Sequence, residues 1–359
     1  VPRCCGFGGA IMPPAEYDYL FVTHLPAFYK VNLYNQLAKR LRIYVVFVAS
    51  SSAIRTGDFL GAEFEFDHAI LFDGDFETRS QLRCALKLCR LLARLDYRSL
   101  AVGGWDLTEF WCAVLLSGRR KNALIVESTI TESSTAGLKS AVKRCFLSRI
   151  SKAFPSGMLH QQLLDSLGFA GTSYLTGGVG IFDRKAYPKA PRVFSHSFLF
   201  VGRLSPEKNL GFLIEAFNQL PDFRLTIVGT GPLAETLAAS AADNVAFRAH
   251  VPNQEIGSVY LAHDIFVLPS TSEPWGLVVD EALHYGLPVV ISRNVGCHTE
   301  LVQEGETGLT FDPYDKNSLI RALQEIAEPA NFYRIKCQVE GIDFASRDQA
   351  QIGAYLRGR

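Results

Sequence analysis

SFLFVGRLSPEKNLGFLIEAFNQLPDFRLTIVGTGPL, residues 197–233, decides the fold. A short run fit for a buried strand, a turn at Gly202, a segment of helical period and a second buried run follow one another there, which is the βα repeat of a parallel sheet. DIFVLPS (264–270), PVVIS (288–292) and TGLTF (307–311) continue the series as strands, with helical segments such as PLAETLAASAA between them. Upstream, YDYLFV (17–22), IYVVFV (43–48), SLAVGG (99–104) and ALIVES (123–128) alternate in the same way with VNLYNQLAKRL and RSQLRCALKLCRLLARL, which read as amphipathic helices. The polar, Pro-containing stretch DRKAYPKAPRVFSHS (183–197) interrupts the winding and reads as a linker. The sequence therefore predicts two doubly wound α/β domains, 12–185 and 192–340, and a terminal segment, 341–359, whose helix crosses back to the first domain. A length of 359 residues suits two cores better than one.

Composition narrows the class. Apolar residues make up 48% of the chain and charged ones 20%, the balance of a globular protein with a large core rather than a disordered one. The net charge is zero, but residues 1–190 carry 23 Lys/Arg against 16 Asp/Glu and the remainder 13 against 20. The halves face different electrostatic tasks, and the basic first half suits a phosphorylated substrate, nucleic acid or an anionic membrane. The eight cysteines, Cys4, Cys5, Cys84, Cys89, Cys112, Cys145, Cys297 and Cys337, show no C-x-x-C spacing, so they read as buried thiols of a reducing cytoplasm rather than a zinc or disulfide framework. No apolar run reaches the roughly 18 residues a transmembrane helix needs. The Gly- and Cys-rich stretch before Met12 has no pattern, and Met12 is the expected natural start.

Two constellations carry chemistry. In the first, the strand SFLFV runs into Gly202-Arg203-Leu204, and Ser205 to Asn209 is expected to open a helix. Glycine lets the backbone turn close to a ligand, while Arg203 and Lys208 set two cations at a strand end beside a helix start, which is a pyrophosphate site by construction. A surface turn with solvated charges is the plainer alternative. In the second, SEPWGLVVDEA (272–282) follows the strand DIFVLPS and places Glu273 and Glu281 eight positions apart, one in the loop and one in the helix, so that both can face one crevice. One carboxylate can hold sugar hydroxyls and the other a ribose diol. Between them, Gly276, Leu277 and Val278 offer backbone amides at a helix start, where an anion is favoured. A solvated acidic helix face is the alternative.

GRLSPEKN, IVGTGPL, VLPSTSEPWGLVVDEAL, GLPVVIS and GETGLTF occur in an order and spacing that resemble the C-terminal domain of glycosyltransferase family 4, over about 196–328. The resemblance implies a GT-B fold, two Rossmann-like domains facing a cleft, and a retaining transfer from a nucleotide-diphosphate sugar. It implies that Arg203 and Lys208 hold the donor diphosphate and neutralise the leaving group. Glu273 would contact the transferred sugar and Glu281 the ribose, with Gly202, Pro274, Trp275, Gly276, Leu277 and Val278 completing the donor side. His250 stands where the family often has a small residue and is a candidate contact for the nucleotide base, although a lone histidine is more often structural. IVGTGPL resembles half of a dinucleotide fingerprint, but Ala234 replaces the third glycine and no acidic residue ends the next strand, so NAD binding is not expected.

The first half resembles the family more weakly. THLPAFYKVNLYNQLA (23–38) is similar to the first loop and helix of members that extend polysaccharide or lipid-linked chains, and GGWDLTEFWCA (103–113) resembles their acceptor-side loop, which makes Trp105 and Asp106 acceptor-side candidates. Many relatives place a histidine opposite the donor sugar. After the strand ALIV this chain carries Glu127, Ser128 and Glu132, and Glu127 reads either as a site residue or as a strand-end carboxylate bonded to backbone. Asp75, Glu77 and Asp96 fit no metal-ligand spacing and no D-x-D follows a strand, so no metal and no cofactor are expected, the nucleotide sugar being a co-substrate.

RSQLRCALKLCRLLARLDYR (79–98) and GLKSAVKRCFLSRISKAF (137–154) set Lys/Arg among apolar residues at helical spacing. They read either as solvated helices or as a peripheral contact with an anionic cytoplasmic membrane face, where a lipid-linked glycan acceptor would be presented. The expected partners are a nucleotide-sugar donor and a glycan or lipid-linked acceptor, in polysaccharide or glycolipid assembly, and no nucleic acid. The rival functions are a GT-B nucleotide-sugar epimerase, a phosphorylase, for which no suitable lysine is placed, and a catalytically inactive sugar-nucleotide-binding partner subunit.

Overall fold

The structure, a computed structural model, describes residues 16–53, 63–182, 184–187 and 193–359. The expected start at Met12 and the cysteines Cys4 and Cys5 lie outside them. So does part of the linker stretch, whose described residues 184–187 and 193–196 are neither helix nor strand. The chain divides into two compact units, 1–183 with 345–359, and 184–344.

In the first unit the elements are β1 (Tyr17–Thr23), α1 (Phe28–Ala38), β2 (Ile43–Ser51), β3 (Asp67–Asp75), α2 (Gln81–Leu92), β4 (Tyr97–Val102), α3 (Thr108–Leu116), β5 (Asn122–Val126), α4 (Gly137–Leu147), β6 (Lys152–Pro155), α5 (Met158–Ser166) and β7 (Thr172–Ser173). The strands form one sheet in the order β3-β2-β1-β4-β5-β6-β7, every pairing parallel. β1 is buried along its whole length, as a central strand of a parallel sheet covered on both faces must be, and this is why YDYLFV is apolar except at Asp18, whose carboxylate accepts from the Arg42 amide at 2.9 Å. Apolar residues of α2, α3, α4 and α5 cover one face of the sheet and those of α1 the other.

The second unit contains β8 (Ser197–Val201), α6 (Leu210–Phe217), β9 (Arg224–Val228), α7 (Ala234–Ser240), β10 (Val245–Arg248), α8 (Ile256–Leu261), β11 (Ile265–Leu268), α9 (Leu277–His284), β12 (Val289–Ser292), α10 (His298–Leu301), β13 (Gly308–Phe311), α11 (Lys316–Ala327) and α12 (Pro329–Glu340). Its parallel sheet runs β10-β9-β8-β11-β12-β13. The order reverses between β8 and β11, and in the first sheet between β1 and β4. In open parallel sheets the crevice at such a reversal, outside the carboxyl strand ends, is where ligands bind.

The last helix, α13 (Phe344–Arg357), packs in the first unit. Tyr355 stacks on Phe154 with ring centroids 4.6 Å apart, Tyr19 donates its hydroxyl to the Tyr355 carbonyl at 3.0 Å, and Arg359 pairs with Asp18 at 2.7 Å. Burying three aromatic rings together fixes this return of the chain.

Several expectations are corrected. The two basic stretches are not continuous helices: 79–98 is helical only over α2, with Tyr97 already in β4, and 137–154 gives up its helix at Leu147 and enters β6 at Lys152. β3, β6, β7 and β10 escaped the periodicity reading because they are short or polar: β3, DHAILFDGD, has only Leu71 buried. The thiols of Cys84 and Cys297 are buried as expected, whereas Cys145 and Cys337 are exposed.

Candidate functional site

At the carboxyl end of β8 the backbone closes onto that of β9. Gly229 holds φ at +146°, and a Cβ there would lie 1.9 Å from the Gly202 carbonyl oxygen; one on Gly231 would lie 2.4 Å from that of Leu204. The two glycines of IVGTGPL therefore serve a close approach of two loops, not a dinucleotide. The expected helix opening at Ser205 is instead a single 3₁₀ turn over Pro206–Lys208, ended by Asn209 in the left-handed region (φ +55°), after which α6 begins. Asn tolerates that conformation, and its side-chain amide donates to the Pro313 carbonyl at 3.1 Å. The break turns Lys208 away from the helix axis and toward the loop after β11.

There it meets Glu273. The Lys208 ammonium and the Glu273 carboxylate form an ion pair, their side chains only 14% and 15% exposed. Arg203 is 62% exposed and touches Glu207 at 3.5 Å, while Glu207 accepts from the Ser205 hydroxyl. Burial pushes the Glu207 carboxyl up, but the Ser205 hydrogen bond and the neighbouring cations outweigh it and hold the group low, so it stays ionised.

The loop bearing Glu273 is held from two sides. Thr271 donates its amide to the Glu207 carbonyl (2.9 Å), and Gly296 and Cys297 donate theirs to the carbonyls of Glu273 (2.8 Å) and Trp275 (2.9 Å). A Cβ on Gly296 would sit 1.8 Å from the Pro274 carbonyl oxygen, so only glycine lets the loop after β12 lie so close. The Trp275 ring is 3% exposed. It anchors the loop in the core. Gly276 takes φ +95° and starts α9, and among the described residues the amides of Gly276, Leu277 and Val278 find no acceptor in the chain. These amides belong to the same loop and helix start as Glu273, where an anion is favoured.

Glu281 lies in the second turn of α9. Tyr260 donates its hydroxyl to the carboxylate at 2.8 Å. Burial pushes the Glu281 carboxyl up to about 7, against the Tyr260 hydrogen bond, with the nearby Asp280 adding to the rise. A carboxylate so poorly solvated gains most from new hydroxyl donors. His250 is exposed two residues beyond the edge strand β10. Tyr260, Gly296 and Asn294, whose side chain donates to the Thr271 carbonyl at 2.9 Å, were not singled out in the sequence. Gly296 lies four residues beyond the end of β12, and none of the three carried a signal in the sequence.

The first unit repeats the arrangement at its own reversal. His24, just past β1, bonds Asp106, just past β4, at 2.9 Å. Burial pushes the Asp106 carboxyl up, and the His24 contact prevails and lowers it. Glu127, at the end of β5, pairs with the buried Lys30 of α1 at 2.9 Å. Burial alone would lower the Lys30 pKa, and Glu127 reverses that and raises it. So Glu127 bonds a side chain rather than backbone, Trp105 is partly buried under Lys143 (5.4 Å from its ring), and His24 joins the acceptor-side candidates. Asp75 and Glu77 accept from Ser51 (2.8 Å) and Ser52 (2.6 Å).

Residues 189–334 match the family model of glycosyl transferases group 1. The chain is 37% identical over 131 residues to a sulfoquinovosyl transferase of Arabidopsis thaliana, covering 36% of this chain and 26% of that protein. It is 34% identical over 146 residues to a GDP-mannose-dependent alpha-(1-6)-phosphatidylinositol monomannoside mannosyltransferase of Mycolicibacterium smegmatis, covering 36% and 38%. The chain thus spans between about a quarter and two fifths of the curated relatives it matches. Among solved structures, sucrose-phosphate synthase of Thermosynechococcus elongatus superposes with a TM-score of 0.71 at 20% identity, over 95% of this chain and 98% of that one. Anabaena HepE in complex with UDP and glucose gives 0.70 at 18%, over 95% and 100%. The structural likenesses establish the fold, which is GT-B, and the sequence matches fall in the second unit. Residues 189–334 are thus similar to glycosyl transferases group 1, within a chain of GT-B fold.

Proposed function

We propose that this protein is a retaining, metal-independent glycosyltransferase that moves a sugar from a nucleotide-diphosphate donor to a glycan or lipid-linked acceptor in polysaccharide or glycolipid assembly, working at the cytoplasmic face of a membrane. The observation that carries the reading is the meeting of Lys208 and Glu273 across the β8/β11 reversal, beside Arg203 and the open amides of Gly276 to Val278. Cations and amides suit a diphosphate, a carboxylate suits sugar hydroxyls, and Glu281 suits a ribose diol.

In the proposed step the bond from the anomeric carbon to the β-phosphate oxygen breaks while the acceptor oxygen bonds to the same face. The acceptor proton passes to the departing phosphate oxygen, whose growing charge Arg203 and Lys208 stabilise. Asp106, with His24, and Glu127 are the acceptor-side groups.

Thermal shift against UDP-, GDP- and dTDP-sugars, followed by turnover of the stabilising donor with acceptor, tests it. A ligand at 100 times its Kd stabilises by about 2.7 kcal/mol. Transfer with retained anomeric configuration is expected. Donor binding without turnover would favour a sugar-nucleotide-binding partner subunit, and epimerised free sugar nucleotide an epimerase.

A further inference from the structure

The segment that follows β7 at the carboxyl edge of the first sheet is glycine-rich, Thr176-Gly177-Gly178-Val179-Gly180. Its ends are fixed: the Thr176 amide donates to the Pro155 carbonyl at 3.0 Å and the Ile181 amide to the Tyr29 carbonyl at 2.9 Å. Among the described residues the amides between them, those of Gly177, Gly178, Val179 and Gly180, find no acceptor, although Gly178, Val179 and Gly180 are buried. Gly177 holds φ at +68°, and a Cβ on Gly180 would lie 2.6 Å from the Tyr29 carbonyl oxygen, so the bend requires glycine at both. The Gly178 carbonyl accepts from the Thr176 hydroxyl at 2.7 Å, which in a trans peptide turns the Val179 N–H the other way. Gln351 of α13 lies against this loop. The residue is 3% exposed, a Cβ on Gly178 would lie 3.3 Å from its Nε2, and that nitrogen has no acceptor among the described residues.

Buried N–H groups are nearly always paired, so successive open amides beside a buried carboxamide call for an acceptor. The neighbouring carbonyls of Gly178 and Tyr29 are already engaged, which leaves a cradle that only donates. Sugar hydroxyls donate as well as accept, whereas an ionised oxyanion only accepts and matches such a cradle fully. We infer that the 176–180 loop and Gln351 bind an oxyanion, the phosphate or carboxylate group of an acidic acceptor. The inference deepens the acceptor reading and rests on it for what carries the anion. The loop stands at the sheet edge that also bears His24, Asp106 and Glu127, and it shares no residue with the diphosphate edge of Arg203 and Lys208.

The test is calorimetry and thermal shift with methyl phosphate and with glucuronate, at constant ionic strength, on the full chain carrying Arg203→Ala/Lys208→Ala, which removes the cations of the diphosphate edge. One of the two anions is expected to bind and to raise Tm, and the tighter one names the acidic group. Gln351→Leu in the same background keeps the bulk of the side chain and removes the unpaired amide. It should have a ligand-free Tm at or above its parent's and bind the anion about tenfold more weakly. Gly178→Ala, whose methyl would press on the Gln351 amide at 3.1 Å, should weaken binding in the same way and replaces the leucine variant if that one does not fold. Binding of neither anion, or unchanged affinity in the folded variant, overturns the proposal. Nucleoside diphosphate binding, measured on the otherwise wild-type chain with and without Gln351→Leu, is expected to be the same. If the nucleotide fails to bind while the anion still depends on Gln351, the donor reading fails and the oxyanion site stands.

Discussion

Lys208 and Glu273 stand 65 residues apart in sequence and are joined by an ion pair across the reversal of the second sheet. A diphosphate arriving at this edge competes with Glu273 for the Lys208 ammonium. Glu273→Gln removes the competitor while keeping the shape and hydrogen-bonding capacity of the side chain. Free nucleoside diphosphate should then bind as tightly or more tightly by calorimetry, while transfer from the intact donor falls about 100-fold, the scale of a lost transition-state contact. Weakened nucleotide binding and unchanged turnover would together refute the arrangement.

Arg203→Ala and Lys208→Ala should each cut kcat by a factor of about 100 to 1,000, since both cations act on charge that grows as the diphosphate departs. Their stability signatures should differ. Arg203 is largely exposed and its loss leaves Tm near wild type, whereas Lys208→Ala strands a mostly buried Glu273 carboxylate and lowers Tm measurably. Wild-type turnover by either variant contradicts the phosphate assignment.

Gly229→Ala tests the packing beneath the site. The added methyl would meet the Gly202 carbonyl oxygen at 1.9 Å, and neither partner is a side chain that can swing aside. The β8 loop must move, at a cost of about 1–3 kcal/mol in urea denaturation. Donor affinity should fall with it, because Arg203 rides on that loop. A variant as stable as wild type would mean that the two loops are not held together.

The strand ends with their glycines and charges were legible because a parallel sheet forces them into one register: each buried apolar run points to its own carboxyl end, where GRLSPEK and SEPWG follow. What was not legible depends on contacts between distant segments. Nothing in the sequence near Glu281 announces Tyr260, and nothing in THLPAF joins His24 to Asp106, since that pairing exists only once β4 lies beside β1. Lys208 read as part of a helix opening because Asn209 in the left-handed conformation is a property of one φ angle, invisible to periodicity. The burial of Trp275 was not legible either, because it depends on the loop after β12, whose Gly296 and Cys297 amides bond the carbonyls of Glu273 and Trp275.

Transfer should persist in excess chelator. Arg203, Lys208 and the α9 amides supply the positive charge that a divalent ion would otherwise bring to the diphosphate. Activity assayed with EDTA, and again after adding magnesium or manganese, is the measurement. Complete loss with recovery on metal addition would sink metal independence without touching the donor site itself.

The pH dependence follows from Glu281, whose carboxyl burial pushes up to about 7. If the carboxylate accepts ribose hydroxyls, the donor binds the ionised form, and binding below pH 7 releases a proton. Affinity should therefore rise with pH by up to about tenfold per unit below 7 and level off above it. Tyr260→Phe removes the hydrogen bond that holds this pKa down, so its midpoint should move to higher pH. Stability carries the opposite sign. In the unfolded chain the group titrates near 4.5, so between 4.5 and 7 the folded state binds more protons, and this contribution is lost as pH rises to 7. Glu281→Gln should accordingly stabilise the ligand-free chain at pH 8 by about 1–3 kcal/mol and show no such gain at pH 4.5, while abolishing the pH slope of donor binding. Urea denaturation and calorimetry at both ends of the range measure the two effects on the same samples. A pH-independent donor affinity in the wild type, with Glu281→Gln binding donor normally, would place the ribose elsewhere.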